Sequence, residues 1–329
     1  MANLLEINDL TVRFQSTEGM VTAVDELSFS LDHGETLGIV GESGCGKSVS
    51  VLAIMRLIQD PPGKITNGSI IYLGSNLLKV SEKEMEKIRG NEITMIFQEP
   101  MTALNPIITC GDQIAEPLII HKGYSKKEAN KEALQLLKLV GVPSPEQKLR
   151  EYPHQLSGGL RQRMVIAMAL ACKPNLLIAD EPTTALDATI QAQILELMKE
   201  LKKEINAGVI LISHDLGIVA ETCDRVIVMY TGQVVEEAAV REIFNFPTHP
   251  YTLGLLKSIP RITPQKLRLN AIEGVVPNPT DMPKGCAFCP RCSFSDELCE
   301  NERPALNVIQ PGHKVRCWHY EKVIASGVA

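Results

Sequence analysis

The sequence has no run of 18 apolar residues, so it offers no candidate membrane-spanning helix. Its start, MANLLEINDL, lacks the basic stretch of a secretory signal, and export is not expected. Basic residues are not in surplus. The 33 Lys and Arg against 39 Asp and Glu give a net charge of −6, which argues against a general nucleic-acid binder. Tandem repeats, low-complexity tracts and long heptad runs are also missing. What remains is a chain of 329 residues, 44% apolar, large enough for one or two cored domains. It is expected in the cytoplasm or on the cytoplasmic face of a membrane.

Residues 41–48 read GESGCGKS, between the apolar run Leu37–Val40 and the helix-like run Val49–Ile58. This is a complete G-x-x-x-x-G-K-[ST] phosphate loop in its strand–loop–helix setting. Successive backbone N–H groups of Gly41, Glu42, Ser43, Gly44, Cys45, Gly46 and onward to Val49 are expected to cradle phosphates at a helix N-terminus. Gly41, Gly44 and Gly46 would let the chain turn tightly. Lys47 would reach the β- and γ-phosphates, and the Ser48 hydroxyl would hold Mg²⁺.

Strands are expected at 4–14, 27–31, 36–40, 69–73, 93–97, 176–180, 209–213 and 226–230. Helices are expected at 81–90, within 110–140, where Lys126–Val140 reads as an amphipathic helix of about four turns, and at 160–171 and 189–205. The apolar strands LLIAD (176–180), VILIS (209–213) and VIVMY (226–230) do not alternate. Separated by helices, they predict an α/β fold with a mostly parallel sheet, and the alternating N-terminal strands predict an antiparallel flap. Prolines punctuate residues 245–285, where nothing longer than Tyr251–Ser258 fits a regular element. Asp180 ends an apolar strand and can reach Mg²⁺, while the adjacent Glu181 can orient or deprotonate a water.

With these residues in place, the chain resembles the ATP-binding subunit of an ABC transporter. The signature is LSGGLRQR (156–163), with Leu160 where the family usually carries glutamine. The resemblance implies that Ser157, Gly158 and Gly159 contact the γ-phosphate of ATP on a second subunit. It makes Gln98 the Q-loop glutamine, a ligand of Mg²⁺ or of the attacking water. It makes Asp187 part of the D-loop, His214 the switch histidine, and Phe14 a candidate to stack on adenine, with a core role as the alternative. IFQEPMTALNP (96–106), the leucine-bearing signature and HPYTLGLL (249–256) are similar to dipeptide and oligopeptide importers, and to the first of their two ATPase subunits. Nickel importers share much of this pattern. The implied partners are a second ATPase subunit in a head-to-tail ATP sandwich, two transmembrane permeases and, through them, an external solute-binding protein. A soluble ABC ATPase of DNA repair or translation would be expected to have a coiled-coil insertion or two cassettes, and a non-catalytic scaffold would not need Lys47, Asp180, Glu181 and His214 together.

Five of the nine cysteines fall in residues 286–317, spaced C-x2-C-x2-C-x6-C-x17-C. In a reducing compartment this points to a metal site: four thiolates can hold zinc or an iron–sulfur cluster. The importer extension carries GC-x-F-x2-RC, then C, then H-x-V-x-C. By that resemblance Cys286, Cys292, Cys299 and Cys317 are the expected ligands, and Cys289 falls on a variable position. Some family members carry a [4Fe-4S] cluster there. It is preferred over Zn²⁺, with free thiols as a third reading. The expected organisation is an ABC-type ATPase domain at 1–245 with a helical subdomain near 99–170, a Pro-rich linker at 246–284 and a cysteine module at 285–329. The phosphate loop is far away in sequence with its own strand–helix frame, so ATP binding by the isolated subunit is expected to survive loss of the cluster.

Overall fold

The computed structural model describes residues 3–17, 19–98, 103–183, 188–259 and 272–326. In chain order its strands are β1 (Leu5–Ser16), β2 (Gly19–Leu31), β3 (Thr36–Val40), β4 (Gly63–Tyr72), β5 (Ser75–Asn76), β6 (Ile93–Ile96), β7 (Leu176–Asp180), β8 (Gly208–Ile212), β9 (Arg225–Tyr230), β10 (Gln233–Ala239), β11 (Asn307–Gln310) and β12 (His313–Val315). The chain forms two compact units. One is made of 1–4, 31–35 and 79–211, the other of 5–30, 36–78 and 212–329.

In the first unit, β8, β7 and β6 are neighbours, and β6 pairs parallel with β7 from Ile93↔Leu176 to Ile96↔Ala179. Both of these strands are buried along their whole length, which is why their sequences do not alternate. Helices Cys110–Lys122, Lys126–Leu139 and Gly158–Leu170 pack on one another. The expected helix Lys126–Val140 is present as Lys126–Leu139, and a further helix, Cys110–Lys122, fills the first part of the stretch 110–140. Gly123 adopts φ 68 and stops the first. Ser125 then opens the second with a capping box to Glu128.

The second unit holds two sheets. One is the expected antiparallel flap, in the order β2-β1-β4-β5. The other runs β11-β12-β10-β9-β3, with β3 and β9 parallel and β9, β10, β12 and β11 antiparallel in succession. β10, β11 and β12 were not expected. β10 reads QVVEEAA, and its buried Glu236 and Glu237 hide a strand that otherwise fits. Glu236 accepts from Thr248 N and Oγ1 at 2.7 Å, from His249 N at 3.0 Å, and contacts His313 Nε2 at 2.8 Å. Glu237 pairs with Arg225 and with Lys314. These partners satisfy the carboxylates, so burial is tolerated. The same contacts dock the HPY helix, Pro250–Lys257, and strand β12 onto β10.

Candidate functional site

The phosphate loop joins β3 to helix Lys47–Ile54, as its sequence requires. Gly44 has φ +78 and open space around it. Gly46 has φ +99, and a Cβ there would strike the Ala23 carbonyl, so its need for glycine comes from close backbone approach as well as from the turn. Lys47 is 6% exposed and donates to the carbonyls of Gly41 at 2.7 Å and Glu42 at 3.1 Å. The ammonium is thus held over the concave loop, where phosphate oxygens would replace those carbonyls. Ser48 and Val49 are half-buried.

His214 follows the β8 strand and shares a cleft of about 440 Å³ with Gly41, Glu42 and Ser43. Asp215 caps the next helix, Leu216–Thr222, through Gly217 N and Ile218 N. Phe14 is half-buried, near the end of β1, with its ring lying over Gly63.

The first unit carries the acids. Asp180 ends β7 at 5% exposure. Glu181 follows at φ 48, a left-handed conformation that is uncommon outside glycine and typical of strained functional positions. Exposed Gln98, just past β6, donates Nε2 to Glu181 Oε2 at 3.0 Å, so the structure brings the predicted Q-loop glutamine and the predicted base together. Ser157 caps helix Gly158–Leu170 through Leu160 N at 3.4 Å, and Ser157 and Gly158 are exposed. The helix begins two residues earlier than expected. Gly159 faces Ile190, which a Cβ would meet at 3.1 Å. The expected D-loop residue Asp187 lies outside the described residues.

The five clustered cysteines are free thiols lining one pocket with Phe288. Burial raises all of them, Cys292 to about 11 and Cys317 to about 12. The charged neighbours of Cys317 include Cys292, Cys286 and Cys299, and Cys289 acts on both Cys286 and Cys292. Backbone N–H groups of Phe294 and His319 point at the sulfurs of Cys292 and Cys317, 3.4 and 3.3 Å away. A Cβ on Gly285 would strike the Cys299 carbonyl, so this glycine lets two cysteine-bearing segments touch. Four thiolates on one zinc would stand about 3.8 Å apart. Among the described residues, the one group of His, Cys, Asp and Glu with ligand atoms within 4.8 Å of one another is Asp296, Cys299 and His319. The four expected ligands line one pocket together with Cys289.

The C-terminal extension touches the phosphate loop despite the distance in sequence. Arg291 reaches Glu42 of the phosphate loop, and Tyr251 Oη accepts the Glu42 N–H at 2.8 Å. Neither residue was foreseen as part of the site. The only signal was their place in the HPY and RC motifs.

Residues 24–184 match the family model described as ABC transporter, and residues 235–299 match that of the oligopeptide/dipeptide transporter C-terminal region. The oligopeptide transport ATP-binding protein AppD of Bacillus subtilis (strain 168) is 53% identical over 98% of this chain and 98% of its own. The chain belongs to the ABC transporter ATP-binding family, in its oligopeptide/dipeptide group. The dipeptide transport protein DppD of the same organism is 51% identical over 97% of this chain and 95% of its own. The dimeric ATP-binding cassette MJ0796, in a post-hydrolysis state bound to ADP and Pi, aligns with a TM-score of 0.65 at 30% identity, over 72% of this chain and 99% of that one. The fold is that of an ABC-type P-loop ATPase. Among the described residues, no helix is long and apolar enough to cross a membrane.

Proposed function

We propose that this ATPase powers ABC-type import of dipeptides or oligopeptides, working at the cytoplasmic face of the cell membrane. The observation that carries the reading is the intact loop, acid and switch set joined to a C-terminal extension of the peptide-transporter type. The partners are a second ATPase subunit, two permeases and an external binding protein, with no nucleic acid.

In this reading the loop 41–49 binds the phosphates of ATP, with Lys47 as their charge partner. Ser48, Gln98 and Asp180 offer the hard oxygen ligands that Mg²⁺ prefers. Bound there, Mg²⁺ would neutralise charge on the β- and γ-phosphates. Glu181 orients and deprotonates the attacking water, with Gln98 holding its carboxylate. His214 senses the γ-phosphate, and Phe14 stacks on adenine. Ser157, Gly158, Gly159 and Asp187 serve the nucleotide of the partner subunit. Closure follows because ATP binds the closed pair better than the open one.

Cys286, Cys292, Cys299 and Cys317 would hold a [4Fe-4S] cluster, which supplies covalent bracing to a small module with little core of its own. Zn²⁺ is the competing occupant, through Asp296, Cys299 and His319.

Purification from native membranes tests the assignment. Two transmembrane subunits and a second ATPase should accompany the chain. In proteoliposomes, ATP hydrolysis should rise with peptide-loaded binding protein and not with nickel. Stimulation by nickel alone would overturn the peptide reading.

A further inference from the structure

Arg291 stands in the single turn Cys289–Arg291, between Cys286 and Cys292, yet its side chain ends at the phosphate loop. Nη1 lies 2.7 Å from Glu42 Oε2 and Nη2 lies 3.0 Å from Glu42 Oε1, a parallel two-bond fork. The arginine side chain is 4% exposed. Its remaining donors go to the carbonyls of Glu273 at 3.1 Å and Ile272 at 3.4 Å, and to Tyr230 Oη at 3.4 Å. The guanidinium sits 5.9 Å from the ring centres of both Tyr230 and Phe288. Phe288 in turn packs on Tyr230, Tyr251 and His249.

Glu42 is consequently held at three points. Arg291 holds its carboxylate, Tyr251 Oη takes its N–H, and its carbonyl accepts from Lys47 Nζ. The arginine is buried while the Glu42 side chain is 30% exposed, and the use of such a partly buried pair is to fix one geometry among several. The geometry fixed is that of the residue whose carbonyl holds the phosphate-binding ammonium.

We propose that Arg291 is a positioning residue of the nucleotide site, acting through Glu42 on Lys47 and the phosphate loop. The inference rests on the reading of residues 41–49 as the ATP cradle. It makes the cysteine-bearing turn a working part of nucleotide binding.

The test uses the full chain and unlabelled ATP, with affinity measured by calorimetry and turnover followed in parallel. Arg291→Gln and Glu42→Gln should each weaken ATP binding about five- to tenfold, and the double variant should be no weaker than the worse single one, because both break one contact. Arg291→Lys keeps the charge and loses the fork, so it should fall between. KM should rise by a larger factor than kcat falls, since Glu181 is untouched. Lys47→Ala separates the two readings. If Lys47→Ala weakens binding and both Gln variants bind within twofold of the parent, the role of Arg291 is refuted. If Lys47→Ala also binds like the parent, the loop assignment itself fails. Should Arg291→Gln not fold, Glu42→Gln decides, because it removes the same pair without touching the cysteine turn. Strictly additive effects of the two substitutions would also overturn the proposal.

Discussion

Gln98 and Glu181 are joined side chain to side chain, amide nitrogen to carboxylate oxygen, at 3.0 Å. The amide fixes the direction of the carboxylate that a base would use. Glu181→Gln keeps the shape and removes the charge. The variant should bind ATP at near-parental affinity, lose about a hundredfold or more in turnover, and accumulate as a closed pair with the partner subunit. Turnover and gel filtration with ATP measure both. Parental turnover would show that another group is the base.

The two signature glycines should respond differently. Gly158 faces open space, whereas Gly159 touches Ile190. Gly158→Leu should therefore leave folding and ATP binding by the isolated chain unchanged and impair hydrolysis by the assembled pair. Gly159→Leu should disturb its own helix as well, with a lowered melting temperature. Equal loss of ATP affinity in the isolated Gly158→Leu chain would refute a contact across the pair.

The cysteine pocket gives an analytical prediction. Protein purified without oxygen should be brown, with iron and acid-labile sulfide each near about four per chain. Cys292→Ser or Cys317→Ser should lose both and loosen residues 285–320 to proteolysis, and Cys289→Ser should do neither. Through Arg291, loss of the ligands should weaken ATP binding by no more than Arg291→Gln does. Colourless protein with one zinc per chain would assign the pocket to zinc instead.

Acid should loosen the docked extension. His249 is fully enclosed, and desolvation lowers it to about 4 from an ordinary 6.5. The unfolded chain binds this proton below pH 6.5 and the folded chain refuses it. The stabilising contribution is thus complete above 6.5 and declines as pH falls toward 4, by about 3 kcal/mol. Burial opposes ionisation of neighbouring Glu236, but hydrogen bonds from His313 and Thr248 outweigh it and keep its carboxyl below the ordinary range, so it acts in the same direction at lower pH. Melting temperatures between pH 7.5 and 4.5 measure the slope. His249→Asn, which can still cap helix Pro250–Lys257, should flatten it, and an unchanged slope would place the titration elsewhere.

Where a feature was written locally, the sequence revealed it. GESGCGKS needs only its own spacing and flanks, and β7 and β8 betray themselves by unbroken apolar runs. Ser157 signals its helix by capping it. β10 stayed hidden because two glutamates interrupt its pattern, and the groups that make their burial tolerable, Thr248, His313, Arg225 and Lys314, are distant in sequence. The Arg291–Glu42 pair spans 249 positions and has no local mark at all. The helix start at Lys126 was legible from its amphipathic spacing, and Gly123 followed by the capping Ser125 is the stop-and-start signal before it.

β10 gains its second neighbour from β12, at Glu236↔Val315 and Glu237↔Lys314. During synthesis, 77 positions separate Glu236 from His313, so β10 leaves the ribosome long before its cover exists. Until then it presents an unpaired edge with a carboxylate stripped of its imidazole partner, a template for wrong pairing with another nascent chain. C-terminal truncations ending before His313 should accordingly fail first by aggregation in the cell, with their chemistry intact in whatever fraction stays dissolved.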